Sequence, residues 1–543
     1  MTTKHCGGTG IGLLAAALLL WTTAAFGAPT TADQALSVAR NWAAGGERLG
    51  EKTFPGTGTV VSYGDGKGRT LFHVVRLGAG TVILPGDDRM EPILAFLPEG
   101  SYDDRTDNPL RALVRRDLEG RFAALDAAPA SLKASGEGHG TRWRRLESGG
   151  QAKGGVGGVS DVRVAPLVAA RWNQEGAFDG GPLCYNLYTP ENLPCGCVAT
   201  ALAQVMYTHR HPVEGVGVRS FPISVRGAAQ TRSLRGGDGS GGPYAWDAMV
   251  PVPGQGVFEA ACQAIGALTH DAGVASNMNY NTQSEGGSSA IAIQGVERLV
   301  EVFHFSQVRT AYSGANLTSL APEARTRMIN PNLDASLPVV LGISGKWLFS
   351  DRYGHAVVCD GYGYDGGTPY HHLNLGWGGK DDAWYNLPDV DLTVYPYSAL
   401  ESCGYNIYPQ GTGEIVSGRV LDGAGNPVAG ATVTASGGGE TFTDVTDPKG
   451  IFALARIPSG VTYTLTSSAG GARTVTVGVS DSATSVTGNV WGVTLGTGPT
   501  ASPDPTGGNT KSSGGGGCSG LDLPTLAALI LAPLVALRRR RRA

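Results

Sequence analysis

At 543 residues the chain exceeds the ~250–300 residues that one hydrophobic core usually accommodates, so several domains are expected. A hydrophobic share of 41% supplies material for real cores, and a net charge of −4 excludes the strongly basic surface that binding to nucleic acid needs. The 83 glycines, roughly twice the ~7% background, gather in linkers and turns and follow no collagen period.

The first element reads as an export signal over residues 1–27. Lys4 precedes an apolar run, 11–21, that is too short to cross a membrane, and Ala25-Phe26-Gly27 offers small residues for cleavage. Cys6 leaves with it. Export places the chain in an oxidising compartment, where Cys184, Cys195, Cys262, Cys359 and Cys403 can pair; Cys184 with Cys195 is one candidate, and spacing does not fix the pairing. The Gly- and Ser-rich stretch 134–160 is where exposed backbone is most easily cut.

Leu193-Pro194-Cys195-Gly196-Cys197-Val198-Ala199-Thr200-Ala201 places a thiol at the first turn of a predicted helix. Val198, Leu202, Val205 and Met206 recur at helical spacing, and His209, His211 and Pro212 close the pattern. Unpaired N–H groups and the positive end of the helix dipole there favour a thiolate at Cys197. A cysteine on an apolar helix is otherwise a small inert core residue. Cys195 is the rival nucleophile, but its place between Pro194 and Gly196 is a turn before the helix.

Two short strands are predicted downstream, Tyr353-Gly354-His355-Ala356-Val357-Val358-Cys359-Asp360-Gly361 and Tyr370-His371-His372-Leu373-Asn374-Leu375-Gly376-Trp377-Gly378-Gly379. The glycines and the Asp365-Gly366 pair between them suit a tight hairpin. A turn centred on Tyr364 and Asp365 pairs His355 with Asn374 across the strands, within one hydrogen bond. Cys, His and Asn far apart in sequence form the constellation of a papain-like thiol hydrolase.

On Gly196-Cys197-Val198-Ala199-Thr200-Ala201, Gly354-His355-Ala356 and His372-Leu373-Asn374-Leu375-Gly376-Trp377-Gly378-Gly379 the chain resembles the streptopain family of cysteine peptidases. Pro166-Leu167 with Trp172-Asn173-Gln174 is similar to the start of the mature enzyme, which implies that Gln174 donates to the oxyanion hole. Tyr244-Ala245-Trp246-Asp247, Asp271-Ala272-Gly273-Val274, Tyr280 and the loop 284–289 resemble the helical, substrate-facing part. Leu71-Phe72-His73-Val74-Val75, the run 80–88 and Pro92-Ile93-Leu94-Ala95 resemble the inhibitory propeptide. The resemblance spans about 31–409 and implies an α+β, two-lobed papain-like fold with an α+β propeptide. It departs at Leu375, where the family commonly has a tryptophan that shields the His–Asn contact.

Beyond this, segments around 416–420, 431–435, 452–454 and 463–465 alternate between Gly, Asn and Pro turns, the spacing of a small all-β sandwich. With Gly425-Asn426-Pro427 and Thr446-Asp447-Pro448-Lys449-Gly450, it resembles the carboxypeptidase regulatory-like domain. Nothing in it carries chemistry, since turn propensity accounts for its Asp and Asn residues without calcium. A Pro-, Gly- and Ser-rich stalk follows. Then come Cys518, an apolar stretch 521–537 broken by Pro524 and Pro533, and the arginines 538–542, a pattern that resembles the C-terminal sorting tails of Gram-negative bacteria. That resemblance implies processing near Cys518 and possible membrane attachment at the outer surface.

The expected organisation is signal 1–27, propeptide 28–156, peptidase 157–410, β-sandwich 414–495, linker 497–517 and sorting tail 518–543. The expected activity is that of a secreted, surface-retained cysteine endopeptidase made as a zymogen. Cys197 is the nucleophile, His355 the acid and base, Asn374 its orienting partner, Gln174 an oxyanion donor, and Trp377 a boundary of the cleft. Its partners are protein or peptide substrates and its own propeptide, with no nucleic acid. No cofactor is called for, and no metal: the pairs His209/His211 and His371/His372 lack ligand spacing beside a carboxylate. A non-catalytic adhesin on a peptidase scaffold and a cell-wall peptide amidase are the alternatives.

Overall fold

A computed structural model of the protein describes residues 28–44, 57–106, 108–127, 137–149, 161–312, 322–345, 353–365, 367–387 and 400–497. The expected signal, the linker beyond 497 and the sorting tail with Cys518 lie outside the described residues.

The N-terminal region contributes α1 (Ala32–Ala44), β1 (Gly58–Gly64), β2 (Thr70–Leu77), β3 (Gly80–Pro85), β4 (Ala95–Leu97), α2 (Pro109–Ala127) and α3 (Glu137–Glu147). Helix α1 buries Ala35, Val38, Ala39 and Trp42, a stripe at spacings of three and four. Helix α2 begins with Pro109, and Asn108 Oδ1 accepts from the Arg111 N–H at 2.8 Å, an N-cap ahead of a proline preset for helix.

The middle of the chain forms β5 (Asp161–Val164), α4 (Cys197–His209), β6 (Ser220–Val225), β7 (Ala228–Ser233), α5 (Glu259–Ala275), β8 (Asn279–Tyr280), α6 (Ala292–Glu301), β9 (Gln307–Tyr312) and α7 (Pro322–Asp334). It continues with β10 (Val339–Gly345), β11 (Tyr353–Asp365), β12 (Thr368–Asn374), β13 (Ala383–Tyr385) and β14 (Leu400–Tyr408). One sheet joins both regions in the order β1-β2-β3-β4-β13-β12-β11-β10-β14-β9, with β5 added beside β11. The N-terminal region is therefore built onto the sheet of the middle region through the antiparallel pair β4 and β13.

Successive side chains of a strand point to opposite faces. Ala356 and Val358 of β11 thus join the core around α4 with Val198, Leu202, Val205 and Met206. Val357 and Cys359 join a second core on the other face, with Leu110, Leu113 and Val114 of α2.

The expected cross-strand pairing of His355 with Asn374 does not form. Val358 is opposite Asn374, and His355 is opposite Ile343 of β10. The ladder runs on to Asp365 opposite Thr368, so the turn lies later than Tyr364–Asp365, and the register slips between Cys359 and Gly361. The slip falls at buried Asp360, whose carboxylate accepts from Val168 N–H at 3.0 Å and contacts His372 Nδ1 at 2.6 Å.

The C-terminal part comprises β15 (Glu414–Leu421), β16 (Thr432–Gly437), β17 (Glu440–Val445), β18 (Ile451–Ile457), β19 (Thr462–Ser467), β20 (Ala472–Thr476) and β21 (Val490–Gly496). They form sheets β18-β15-β21 and β17-β16-β19-β20 around Val416, Val433, Phe452, Leu454, Tyr463 and Leu465. The chain is α+β followed by an all-β sandwich. Among the described residues no helix is long and apolar enough to cross a membrane.

Candidate active site

Helix α4 begins at Cys197 itself, with Gly196 as its N-cap. Gly196 has φ of +88°, and a Cβ there would lie 2.8 Å from the Met278 sulfur, so both backbone sign and space demand glycine. Cys195 is pinned to the strand-like segment before the helix, its N–H donating to Gln174 O at 2.9 Å.

His355 reaches the sulfur from the start of β11. Its Nε2 lies 2.8 Å from the carbonyl oxygen of Leu375 and therefore carries a proton, which leaves Nδ1 to meet the Cys197 thiol in a side-chain hydrogen bond. Burial opposes charge on both groups. It is outweighed by their mutual attraction and that hydrogen bond, with backbone N–H contacts from Ala356 and Val198 helping the sulfur, so the Cys197 thiol is held below its usual value. His355 is correspondingly held above its own, again against burial, by Cys197 and by the Leu375 carbonyl. Cys197 is 9% and His355 8% exposed.

Cys195 behaves oppositely. Burial pushes its thiol up to about 12, and its sulfur lies 3.4 Å from Thr200 Oγ1. The six cysteines of the described residues are free thiols, so the candidate Cys184–Cys195 pair is not joined; Cys184 contacts Cys262 instead.

Asn374 is near the pair without touching the imidazole. Its Nδ2 donates to Ala170 O at 2.8 Å, while its Oδ1 accepts from Gln204 Nε2 at 3.1 Å and Gly376 N–H at 3.1 Å. The amide thus fixes the turn that presents the Leu375 carbonyl, whereas direct contact was expected. The Leu375 N–H donates to Asp382 at 2.9 Å, and its side chain is fully buried where a tryptophan was the familiar shield. Burial lifts the Asp382 carboxyl to about 6 despite attraction to His372.

Gln174 is half-buried beside the loop that precedes Cys197, its carbonyl accepting from the Cys195 N–H. Trp377 is half-buried on the turn after β12; the Gly378 N–H donates to Trp172 O at 2.9 Å, and the Arg105 guanidinium lies 5.8 Å from the Trp377 ring centroid. Asn108 also reaches this turn, donating to Asp381 at 2.5 Å. The loop before α2 therefore lies on the turn beside the pair.

The histidine pairs have structural contacts. His211 Nε2 lies 2.9 Å from His304 O, His371 Nε2 2.8 Å from Asn330 Oδ1, and His372 is bound to Asp360. No group of three metal-ligating side chains occurs among the described residues. Two participants escaped the sequence reading. The Leu375 carbonyl has no residue signature, but Gln204 did leave one, an amide inside a helix buried on all sides.

A thiol held below its usual value beside an imidazole held above its own, at a helix N-terminus, is the arrangement of a papain-like cysteine peptidase. Residues 172–385 match the Peptidase C10 family model, and residues 415–490 match the carboxypeptidase regulatory-like domain. Over residues 172–385 the chain is a cysteine peptidase similar to the Peptidase C10 family. Streptopain of Streptococcus pyogenes is 24% identical over 335 residues, covering 57% of this chain and 71% of that protein. The thiol protease/hemagglutinin PrtT of Porphyromonas gingivalis is 25% identical over 324 residues, 58% of this chain and 34% of that one. Among solved structures, a prointerpain A fragment of Prevotella intermedia is 20% identical with a TM-score of 0.46, covering 65% of this chain and 99% of that chain.

Proposed function

We propose that the protein is an exported cysteine endopeptidase, made as a zymogen whose N-terminal region inhibits the site until it is cut away. The observation that carries the reading is the Cys197–His355 pair, with the thiol depressed and the imidazole raised by one another. Cys197 Sγ attacks the peptide carbonyl carbon and forms the S–C bond. The Cys197 backbone N–H and the Gln174 side chain receive the oxyanion, where losing one donor typically costs ~3 kcal/mol of barrier. Imidazolium His355 gives its proton to the amine nitrogen as the C–N bond breaks. Neutral His355 then takes a proton from water, hydroxide attacks the thioester, and the acid leaves as the thiolate returns. Asn374 holds the Leu375 carbonyl against His355, and Trp377 bounds the cleft.

The zymogen reading rests on Arg105 over Trp377, on Asn108 at Asp381 and on the shared sheet, which lay the N-terminal region against the turn beside the site. Sorting at Cys518 and retention at the outer surface extend the reading of the tail. Incubating the purified full chain and sequencing any new N-terminus tests the whole. Cleavage within about 134–160 in wild type, absent in Cys197→Ser, supports it. Identical behaviour of both proteins, with no casein hydrolysis by either, refutes it.

A further inference from the structure

The geometry points to Gln204 as a positioning residue of the peptidase, one that fastens the nucleophile helix to both the oxyanion segment and the carbonyl that holds His355. The inference rests on the peptidase reading above. Gln204 lies seven residues after Cys197, two helical turns along the same side, with Thr200 between them. It is a fully buried amide in a helix whose neighbours Ala203, Val205 and Met206 are core. Both ends of the amide are used. Oε1 accepts from the Trp172 N–H at 3.2 Å, two residues before Gln174, and Nε2 donates to Asn374 Oδ1 at 3.1 Å.

Asn374 in turn donates to Ala170 O, and Thr200 Oγ1 bonds Asn173 O at 3.2 Å. One side of α4 is thus tied twice to the segment carrying Gln174 and once to the turn carrying Leu375. Three groups that approach from separate parts of the chain, the sulfur, the oxyanion donor and the Leu375 carbonyl, are held at fixed distances through this amide. Gln204 touches neither substrate nor the reacting atoms; it acts through Asn374 and Trp172. A role confined to satisfying buried donors would lower stability alone, whereas a positioning role also changes how firmly the Leu375 carbonyl meets the imidazolium.

The test compares wild type, Gln204→Leu and Gln204→Glu in the full chain. It reads the pH profile of iodoacetamide alkylation at Cys197, localised by peptide mass spectrometry, together with casein hydrolysis per titratable active site and melting temperature. In Gln204→Leu the rise of alkylation with pH moves to higher pH, because a loosened carbonyl lets His355 lose its proton sooner and leaves the thiolate less supported. Turnover per active site falls ~10- to 100-fold, as small displacements of catalytic groups do, with KM little changed. Gln204→Glu lies between the two and approaches wild type in acid, where a buried, protonated glutamic acid regains a donor. Should Gln204→Leu fail to fold, Gln204→Glu alone decides. A wild-type alkylation profile and wild-type turnover per site in the folded variants, with only a lower melting temperature, overturn the role. A wild-type chain with no fast, His355-dependent alkylation overturns the peptidase reading itself.

Discussion

In the proposed mechanism Cys197 works only if its sulfur is charged near neutral pH, and His355 is the group that favours that charge. Replacing His355 by Ala leaves a buried thiol whose desolvation is unopposed by the imidazolium. A thiol near its ordinary value is only a few per cent ionised at neutral pH, so iodoacetamide labelling should slow on the order of 10- to 100-fold. The shifts also fix the shape of the pH profile. Thiolate forms above a value held below the usual thiol range, and imidazolium persists to a value held above the usual histidine range. Activity should rise on the acid side with Cys197 ionisation and fall on the alkaline side as His355 loses its proton; a profile rising monotonically to pH 10 contradicts the pair. At this scale the sequence was legible wherever residue type carries the chemistry. Cys197 stood out by its helix start and His355 by its distance from it, and the structure joins them. Asn374 was legible as a neighbour but not in its contacts, because a backbone carbonyl took the place expected for its amide and the turn lies later than Tyr364–Asp365. Neither a carbonyl contact nor the exact place of a glycine-rich turn is spelled by side-chain pattern.

Strand alternation and helical stripes made the individual elements readable, but not the joining of β4 to β13, since a three-residue strand offers no signal of its distant partner. That joint is reinforced by a buried ionic cluster. Arg142 of α3 lies 3.0 Å from Glu91 and 2.7 Å from Asp365 of the β11–β12 hairpin, and Trp42 Nε1 donates to the same Asp365 at 2.8 Å. Arg142→Met would remove the guanidinium shared by two buried carboxylates, a loss of ~3–5 kcal/mol when one partner of a buried pair is removed. The expected outcome is a full chain whose N-terminal region is cut rapidly by trypsin while the remainder resists; unchanged protection would contradict it. Acid acts on the same joint with a definite sign. Glu91 suffers the largest effect from burial, yet Arg142 and His139 hold it below its ordinary 4.5, so its contribution is present above that value and is lost as pH falls through the lower one. Asp381, raised to about 6 mainly by burial, works the other way, favouring the folded state more as pH falls to 6 and below. Protection from trypsin should therefore hold from pH 7 to pH 5 and fail only in stronger acid. Release already at pH 6 would show that another group controls the contact.

The sandwich reads from sequence as an appended module, because its strand spacing and turn residues describe it completely and say nothing of what it touches. In the folded chain it is part of the peptidase wall. Asn406 of β14 donates to Asn489 at 3.1 Å and to Glu414 at 3.1 Å, and Asn332 of α7 donates to Asn406 at 3.0 Å, all buried. Ser482 and Ser485 accept from the N–H groups of Thr310 and Tyr312 at 3.1 Å and 2.8 Å, which occupies two edge donors of β9, the last strand of the large sheet. Leu337, Tyr408 and Ile415 pack as a small apolar cluster across the junction. Buried polar groups keep their bonds only while both halves stay together, so the two should unfold together. A chain ending at Gln410 would strip Asn406 of Glu414 and Asn489, bare Tyr408 and free the β9 edge. The expected results are one calorimetric transition for the full chain and a lower-melting, aggregating truncation. Within the full chain, Asn406→Ala should destabilise by ~1–3 kcal/mol through the donors and acceptors it orphans. Two separate transitions, or a truncated peptidase that melts where the full chain does, would return the sandwich to the status of a tethered passenger and require another explanation for burying so many amides at its border.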